Sequence, residues 1–273
     1  VELQSFRPGI ILGLEKPMDG RRSELGDFLR SRRQRLRPET VGLIATRRRR
    51  TPGLRREEVA ELAGIGVDWY VRLEQGRDVN PSLTTIDAIA RALKLGESEH
   101  NHLRSLARHG DRRAFAKETV PEAVQRVVQS LPHPTYVIGR RWDVLAWNEA
   151  AEETFAWGRI PEGGRNTLLC VLTNPAVRRL FGNGWEDEAR RMVAKFRKTH
   201  DLWAGDPAFV ELLDRLHEGS AELAGWWKAH DIRDGTAGIK KFMHPKKGTL
   251  RFQHASFQCN DDSALKLVIY TPV

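Results

Sequence analysis

The run Arg56-Glu57-Glu58-Val59-Ala60-Glu61-Leu62-Ala63-Gly64-Ile65-Gly66-Val67-Asp68-Trp69-Tyr70-Val71-Arg72-Leu73-Glu74-Gln75-Gly76 constrains the fold more than any other part of the chain. Its apolar positions Val59, Ala63, Ile65, Tyr70 and Leu73 recur at offsets that put them on the facing sides of two short helices. Leu62 is expected to point inward with Val59 and Ala63. Ala60 is the small residue that lets the helices approach, and Gly64 supplies the turn. Gly76 stops the second helix. Val67, Asp68, Trp69, Val71 and Arg72 are left on its outer surface. A helix presented this way fits a DNA major groove of about 12 Å.

The flanking sequence extends this unit to five helices. Residues 23–36 read as helix, with Ser23 as N-cap, Leu25, Phe28, Leu29 and Leu36 on one face, and Arg30, Arg33 and Arg37 elsewhere. A polar loop, 38–53, carries Arg47, Arg48, Arg49 and Arg50 in succession. Asn80-Pro81-Ser82 starts a fourth helix bearing Leu83, Ile86, Ile89, Ala90 and Leu93, and a fifth runs from Glu97 to Arg108. Between Arg21 and Arg113 basic residues exceed acidic ones by eight, out of a net charge of +9 for the chain. Such asymmetry suits a polyanion, and the bias to arginine suits phosphate and guanine edges, although high genomic G+C would produce the same bias.

A length of 273 residues suggests two domains at roughly 100–200 residues each. The expected division is an N-terminal extension over 1–20, the helical domain over 21–108, a charged linker over 109–120 and a second domain over 121–273. That second domain opens with a helix to Ser130 carrying Ala123, Val124, Val127 and Val128. Tyr136-Val137-Ile138 and Trp142 to Trp147 then flank Gly139-Arg140-Arg141 as a hairpin. Helices are expected near 148–156, 175–181, 185–199, 207–217 and 220–229. Strands follow over 239–244, 249–258 and 265–271. The result is an α+β domain with a five-stranded antiparallel sheet. It holds seven of the eight tryptophans, Trp142, Trp147, Trp157, Trp185, Trp203, Trp226 and Trp227. That is more than a small core requires and would suit an apolar cavity.

Several classes are disfavoured. No apolar run approaches the ~20 residues of a membrane span, and no secretory signal is read at the N-terminus. Two cysteines, Cys170 and Cys259, make neither a disulfide framework nor a four-thiolate site. The histidines show no metal-ligand spacing, and no nucleophile elbow or phosphate loop occurs. No enzyme activity, catalytic residue, metal or cofactor is expected, and the location is expected to be cytoplasmic.

The 56–76 run and its flanks, over 23–107, resemble the lambda-repressor-like helix-turn-helix group called the XRE family. Tyr136-Val137-Ile138-Gly139-Arg140-Arg141-Trp142-Asp143-Val144-Leu145-Ala146-Trp147-Asn148 resembles the opening of the MmyB-like regulator ligand-binding domain. Trp226, His230-Asp231-Ile232, Gly238-Ile239-Lys240 and His244-Pro245 extend that likeness over 121–271.

The first resemblance implies an all-α five-helix DNA-binding domain. Arg55 and Arg56 would grip phosphates, Val67, Asp68 and Trp69 would face bases, and Arg72 would meet a base edge or phosphate. Arg47, Arg48, Arg49 and Arg50 would add phosphate or minor-groove contacts. Val67-Asp68-Trp69 departs from the small polar residues usual there. The second resemblance implies a PAS-like domain for a small apolar ligand, a fatty acid among the candidates. Trp147, Asn148, His230 and Lys240 are its candidate contacts, with Lys240 or His230 neutralising a ligand carboxylate. The partner is expected to be a double-stranded DNA operator, read by a homodimer on half-sites about 34–36 Å apart. The competing readings are a constitutive repressor whose second domain only dimerises, and a thiol- or ligand-processing enzyme fused to a DNA-binding module.

Overall fold

The computed structural model describes residues 20–44, 51, 53–108, 114–233, 238–260 and 262–273. Arg47 to Arg50, nearly all of the N-terminal extension and the first half of the expected linker lie outside them.

The N-terminal half is helical. Helices α1 (Gly20–Arg35), α2 (Arg56–Ala63), α3 (Val67–Glu74), α4 (Leu83–Ala92) and α5 (Glu97–Ala107) enclose one core. Phe28, Leu29, Leu54, Val59, Ala60, Tyr70, Ile86, Ile89 and Leu103 are completely buried in it. The turn between α2 and α3 is set by Gly64, whose φ of +67° is a conformation that glycine adopts at little cost. Gly26 permits α1 to cross α3 closely, because a Cβ there would lie 2.4 Å from the Glu74 carbonyl oxygen. Ser82 caps α4 by accepting from the Thr85 amide at 3.1 Å.

Four expectations need correction here. Helix α1 starts at Gly20, so Ser23 lies within it rather than capping it. Arg33 does not face outward but is only 5% exposed. Leu62 and Leu83 point to solvent, because each lies a step off the stripe that the neighbouring helices cover.

The C-terminal half is α+β. Strands β1 (Thr135–Ile138), β2 (Val144–Trp147), β3 (Gly238–His244), β4 (Gly248–Gln258) and β5 (Lys266–Pro272) form one antiparallel sheet in the order β2-β1-β5-β4-β3. Helix α6 (Glu122–Ser130) covers the β1–β2 end of its outer face, with Val128 against Val137 and Leu265. Ala123 and Val127, expected inward, are exposed because α6 rests on the sheet by one narrow edge. The inner face meets α7 (Glu149–Phe155), α8 (Thr167–Thr173), α9 (Pro175–Phe181) and α10 (Trp185–Leu202). Helices α11 (Pro207–Gly219) and α12 (Leu223–Lys228) pack behind α8 and α10.

Helix α8 was not anticipated. Its run Leu168-Leu169-Cys170-Val171-Leu172 is buried on every side and shows no period, although Asn166, which caps it, is a visible start signal. Residues 114–120 are extended and tied to the C-terminal half. Phe115 packs edge-on to Phe209, its amide donates to Asp206, and Glu118 accepts from the Arg140 amide.

Candidate DNA-reading face and ligand cavity

Helix α3 presents its outer surface to solvent. Val67, Asp68 and Arg72 are exposed, whereas Trp69 is half-buried against the N-terminal core. Arg55, at the N-terminus of α2, is also exposed. Arg56 lies beside them but has a partner within the fold, donating through Nε to Glu74 at 2.9 Å. Glu74 is the hub that holds this surface. Arg33 donates to its two oxygens at 2.6 and 2.7 Å, joining α1 to α3, while Arg56 joins α2. Burial pushes the Glu74 carboxyl up, but the hydrogen bonds and charge of Arg33, and then of Arg56, outweigh it and hold the group below the ordinary carboxylate range.

The second feature is a cavity of about 390 Å³ between the inner face of the sheet and α10. The pleat turns Tyr136 and Ile138 of β1, Lys240 of β3, His254 and Ser256 of β4, and Lys266, Val268 and Tyr270 of β5 toward it. Glu188, Met192, Lys195, Thr199 and Leu202 face it from α10, at spacings of three and four that share one helix face. Asn101, His102 and Ser105 close it from α5, in the N-terminal half. The size lies within the range of small-molecule sites, about 300–1,000 Å³.

With these two surfaces in place, the likenesses to known proteins can be read. The family model of the MmyB-like transcription regulator ligand binding domain matches residues 120–273, more than half of the chain. A helix-turn-helix domain model matches residues 24–103. The chain belongs to the MmyB-like regulator family. No curated protein matches it. The two matches make it a DNA-binding transcription regulator that carries a ligand-binding domain. Among the described residues, no helix is long and apolar enough to cross a membrane.

Within this MmyB-like domain the four candidate ligand contacts are dispersed. Lys240 lines the cavity and is ion-paired with Glu188. Trp147, Asn148 and His230 do not line it. Trp147 donates from its indole to Glu152 at 2.8 Å. Asn148 is buried and caps α7, accepting from the Ala151 and Thr135 amides and donating to the Leu131 and His133 carbonyls. All of its hydrogen-bonding capacity is spent on the β1–β2 corner. Of the seven tryptophans, Trp142 alone lines the cavity. Trp185, Trp203, Trp226 and Trp227 instead fill the helical layer of α8, α10, α11 and α12. Cys170 is buried, and burial pushes its thiol up to about 11, the reverse of what a reactive thiolate needs.

His230 sits in the seam where the MmyB-like domain meets the helix-turn-helix domain. Arg197 of α10, 1% exposed, is the centre of that seam. Its guanidinium lies 4.0 Å from the centre of the Trp227 ring and donates to the Trp227 carbonyl at 2.5 Å. It also reaches Glu24 of α1 at 3.4 Å and His230 Nδ1 at 3.0 Å. Next to it, Asp201 is bonded to His102 of α5 at 3.0 Å and to His200 at 3.1 Å. Further along the same side of α1, Arg32 donates to the His230 carbonyl and Arg35 pairs with Asp231 at 2.9 Å. Ile232 adds an apolar contact to the N-terminal core. His230 has a φ of +49°, a strained conformation for a side chain of its size.

Glu24, His200 and Asp201 bring potential metal ligands within 4.8 Å of one another. Arg197 already supplies a cation to Glu24 and Asp201. The seam has no linear signature, since its residues are scattered from Glu24 to Ile232. A histidine and an arginine on buried helix faces were the available signal.

Proposed function

We propose that the protein binds a DNA operator through α3 and that a small ligand in the cavity alters this binding. The ligand has an apolar body and an anionic end, a fatty acid being its simplest form. The protein acts in the cytoplasm as a homodimer, and its two domains divide at residues 109–120. The observation that carries the reading is the position of the cavity. One of its walls is α5 of the DNA-binding half, and His102 on that wall also holds Asp201 in the seam. A ligand there has contact free energy with both domains, which a ligand needs in order to shift their relative arrangement. Val67, Asp68 and Arg72 remain exposed with the domains joined, so DNA access and domain docking are compatible.

Fluorescence anisotropy on operator fragments selected from a random pool tests this. Arg72→Ala should weaken binding by about 1–3 kcal/mol without moving the melting temperature. Unchanged affinity would remove α3 from the interface. Arg56→Ala is the less clean probe, because it also removes a partner of Glu74. Addition of decanoate should change operator affinity, whereas a constitutive repressor would not respond.

A further inference from the structure

The cavity lining is unbalanced in charge. Among the described residues, Lys195, Lys198, Lys240, Lys266 and Arg233 face it with one carboxylate, Glu188. Glu188 is already committed, accepting from Lys240 and lying 3.1 Å from Arg191. Lys198 reaches the Ser98 hydroxyl at 3.4 Å. Lys195 and Lys266 are half-buried, and among the described residues neither has a hydrogen bond or an ion pair. Lys195 is close enough to Lys240 and Lys266 to feel their charge.

Burial, and then the neighbouring cations, push the Lys195 and Lys266 ammonium groups below their ordinary value. Burial followed by Lys240 and Lys195 pushes His254 down to about 4, so its ring is neutral near pH 7. Its Nδ1 is buried without a partner among the described residues. A neutral imidazole can donate to an anion without adding to the crowded positive charge. Cations left uncompensated at a partly buried site weaken the fold unless something completes them.

We propose that the cavity binds a molecule whose head is a dianion of the phosphate-monoester type, held by Lys195 and Lys266 with a hydrogen bond from His254. Its apolar body lies toward Ile138, Trp142 and Val268. This rests on the ligand reading above and sharpens it. A single carboxylate satisfies one of the two unpartnered lysines, whereas a phosphate monoester matches both in charge and offers three acceptor oxygens.

Isothermal titration of the full chain with decyl phosphate and decanoate, whose apolar chains differ by one methylene, provides the test. At about pH 8 decyl phosphate should bind about tenfold tighter or more. Near pH 5 the phosphate has regained a proton, its second pKa being about 6, and the advantage should shrink. Lys195→Met should abolish the preference while leaving decanoate binding in place, and Lys266→Gln serves where that variant fails to fold. Decanoate binding as tightly as decyl phosphate overturns the dianion assignment and leaves the ligand reading standing. Binding of neither compound overturns both.

Discussion

Glu74 and Glu188 are both buried carboxylates among basic side chains, one at the C-terminal end of α3 and the other beside the cavity. They differ in where the surplus positive charge goes. Around Glu74, Arg33 is closed off by two bonds to the carboxylate and one to the Leu54 carbonyl, while Arg30 and Arg56 extend to water at 42% and 38% exposure. Water and the internal hydrogen bonds complete that cluster. Around Glu188 the surplus points into the cavity, where among the described residues the Lys195 and Lys266 side chains have no hydrogen bond or ion pair. The same residue types therefore build a strut in one region and line an open cavity in the other. Saturation of hydrogen bonds separates the two roles better than charge count does.

The strut gives the largest expected effect. Glu74→Leu leaves Arg33 buried and unpaired, and should destabilise the N-terminal half by about 3–5 kcal/mol. Chemical denaturation monitored by circular dichroism measures it, and a loss below about 1 kcal/mol would make Glu74 incidental. Next comes the seam. Arg197→Met removes charged hydrogen bonds to Glu24 and to the Trp227 carbonyl, and should weaken domain docking by about 2–3 kcal/mol. The expected reading is a larger radius of gyration in small-angle scattering and separate melting of the two halves. An unchanged profile would mean that other contacts hold the seam.

Proton linkage in the seam has a definite sign. Burial, and then Asp201, raise Glu24 from 4.5 to about 7 in the folded protein. Its contribution is therefore fully present below about pH 4.5 and is lost as pH rises through 7. His230, pushed down to about 4 by burial and then Arg197, contributes with the opposite slope below its ordinary value. The difference between wild type and Glu24→Gln isolates the first group. Wild type should lose stability relative to the variant as pH is raised across that interval. A constant difference would show that Glu24 keeps its proton affinity on folding. The smallest effect comes from the open site, where Lys195→Met should raise stability without ligand by about 1 kcal/mol, as relief of an uncompensated charge at a functional site does. A loss of stability would mean that Lys195 already has a counter-charge.

Much of the α2–α3 pair was legible because its spacing has few solutions. Ala60, Gly64, Tyr70 and Leu73 fix two helices and a turn, and the exposed Val67, Asp68 and Arg72 follow from them. The sheet was legible from alternation in β4 and β5 and from the turn residues between them. The cavity was not. Lys195 and Lys266 look in sequence like solvated charges on a helix and a strand, and only tertiary packing turns them inward. Arg33, expected off the buried face, and Arg197 are buried for the same reason, since an arginine's partner lies far along the chain. The tryptophans lie in the half that holds the inner face of the sheet, but of the seven only Trp142 lines the cavity. Their bulk serves the helical layer, and the cavity is marked by unpartnered polar groups instead.

The central claim is that ligand and operator sites are coupled through the wall the cavity shares with α5. It is tested most directly by measuring operator affinity with and without saturating decyl phosphate, and decyl phosphate affinity with and without operator. The account predicts a change of about fivefold or more in each, by the same factor, as thermodynamic linkage requires. A saturated cavity that leaves operator affinity unchanged would contradict it.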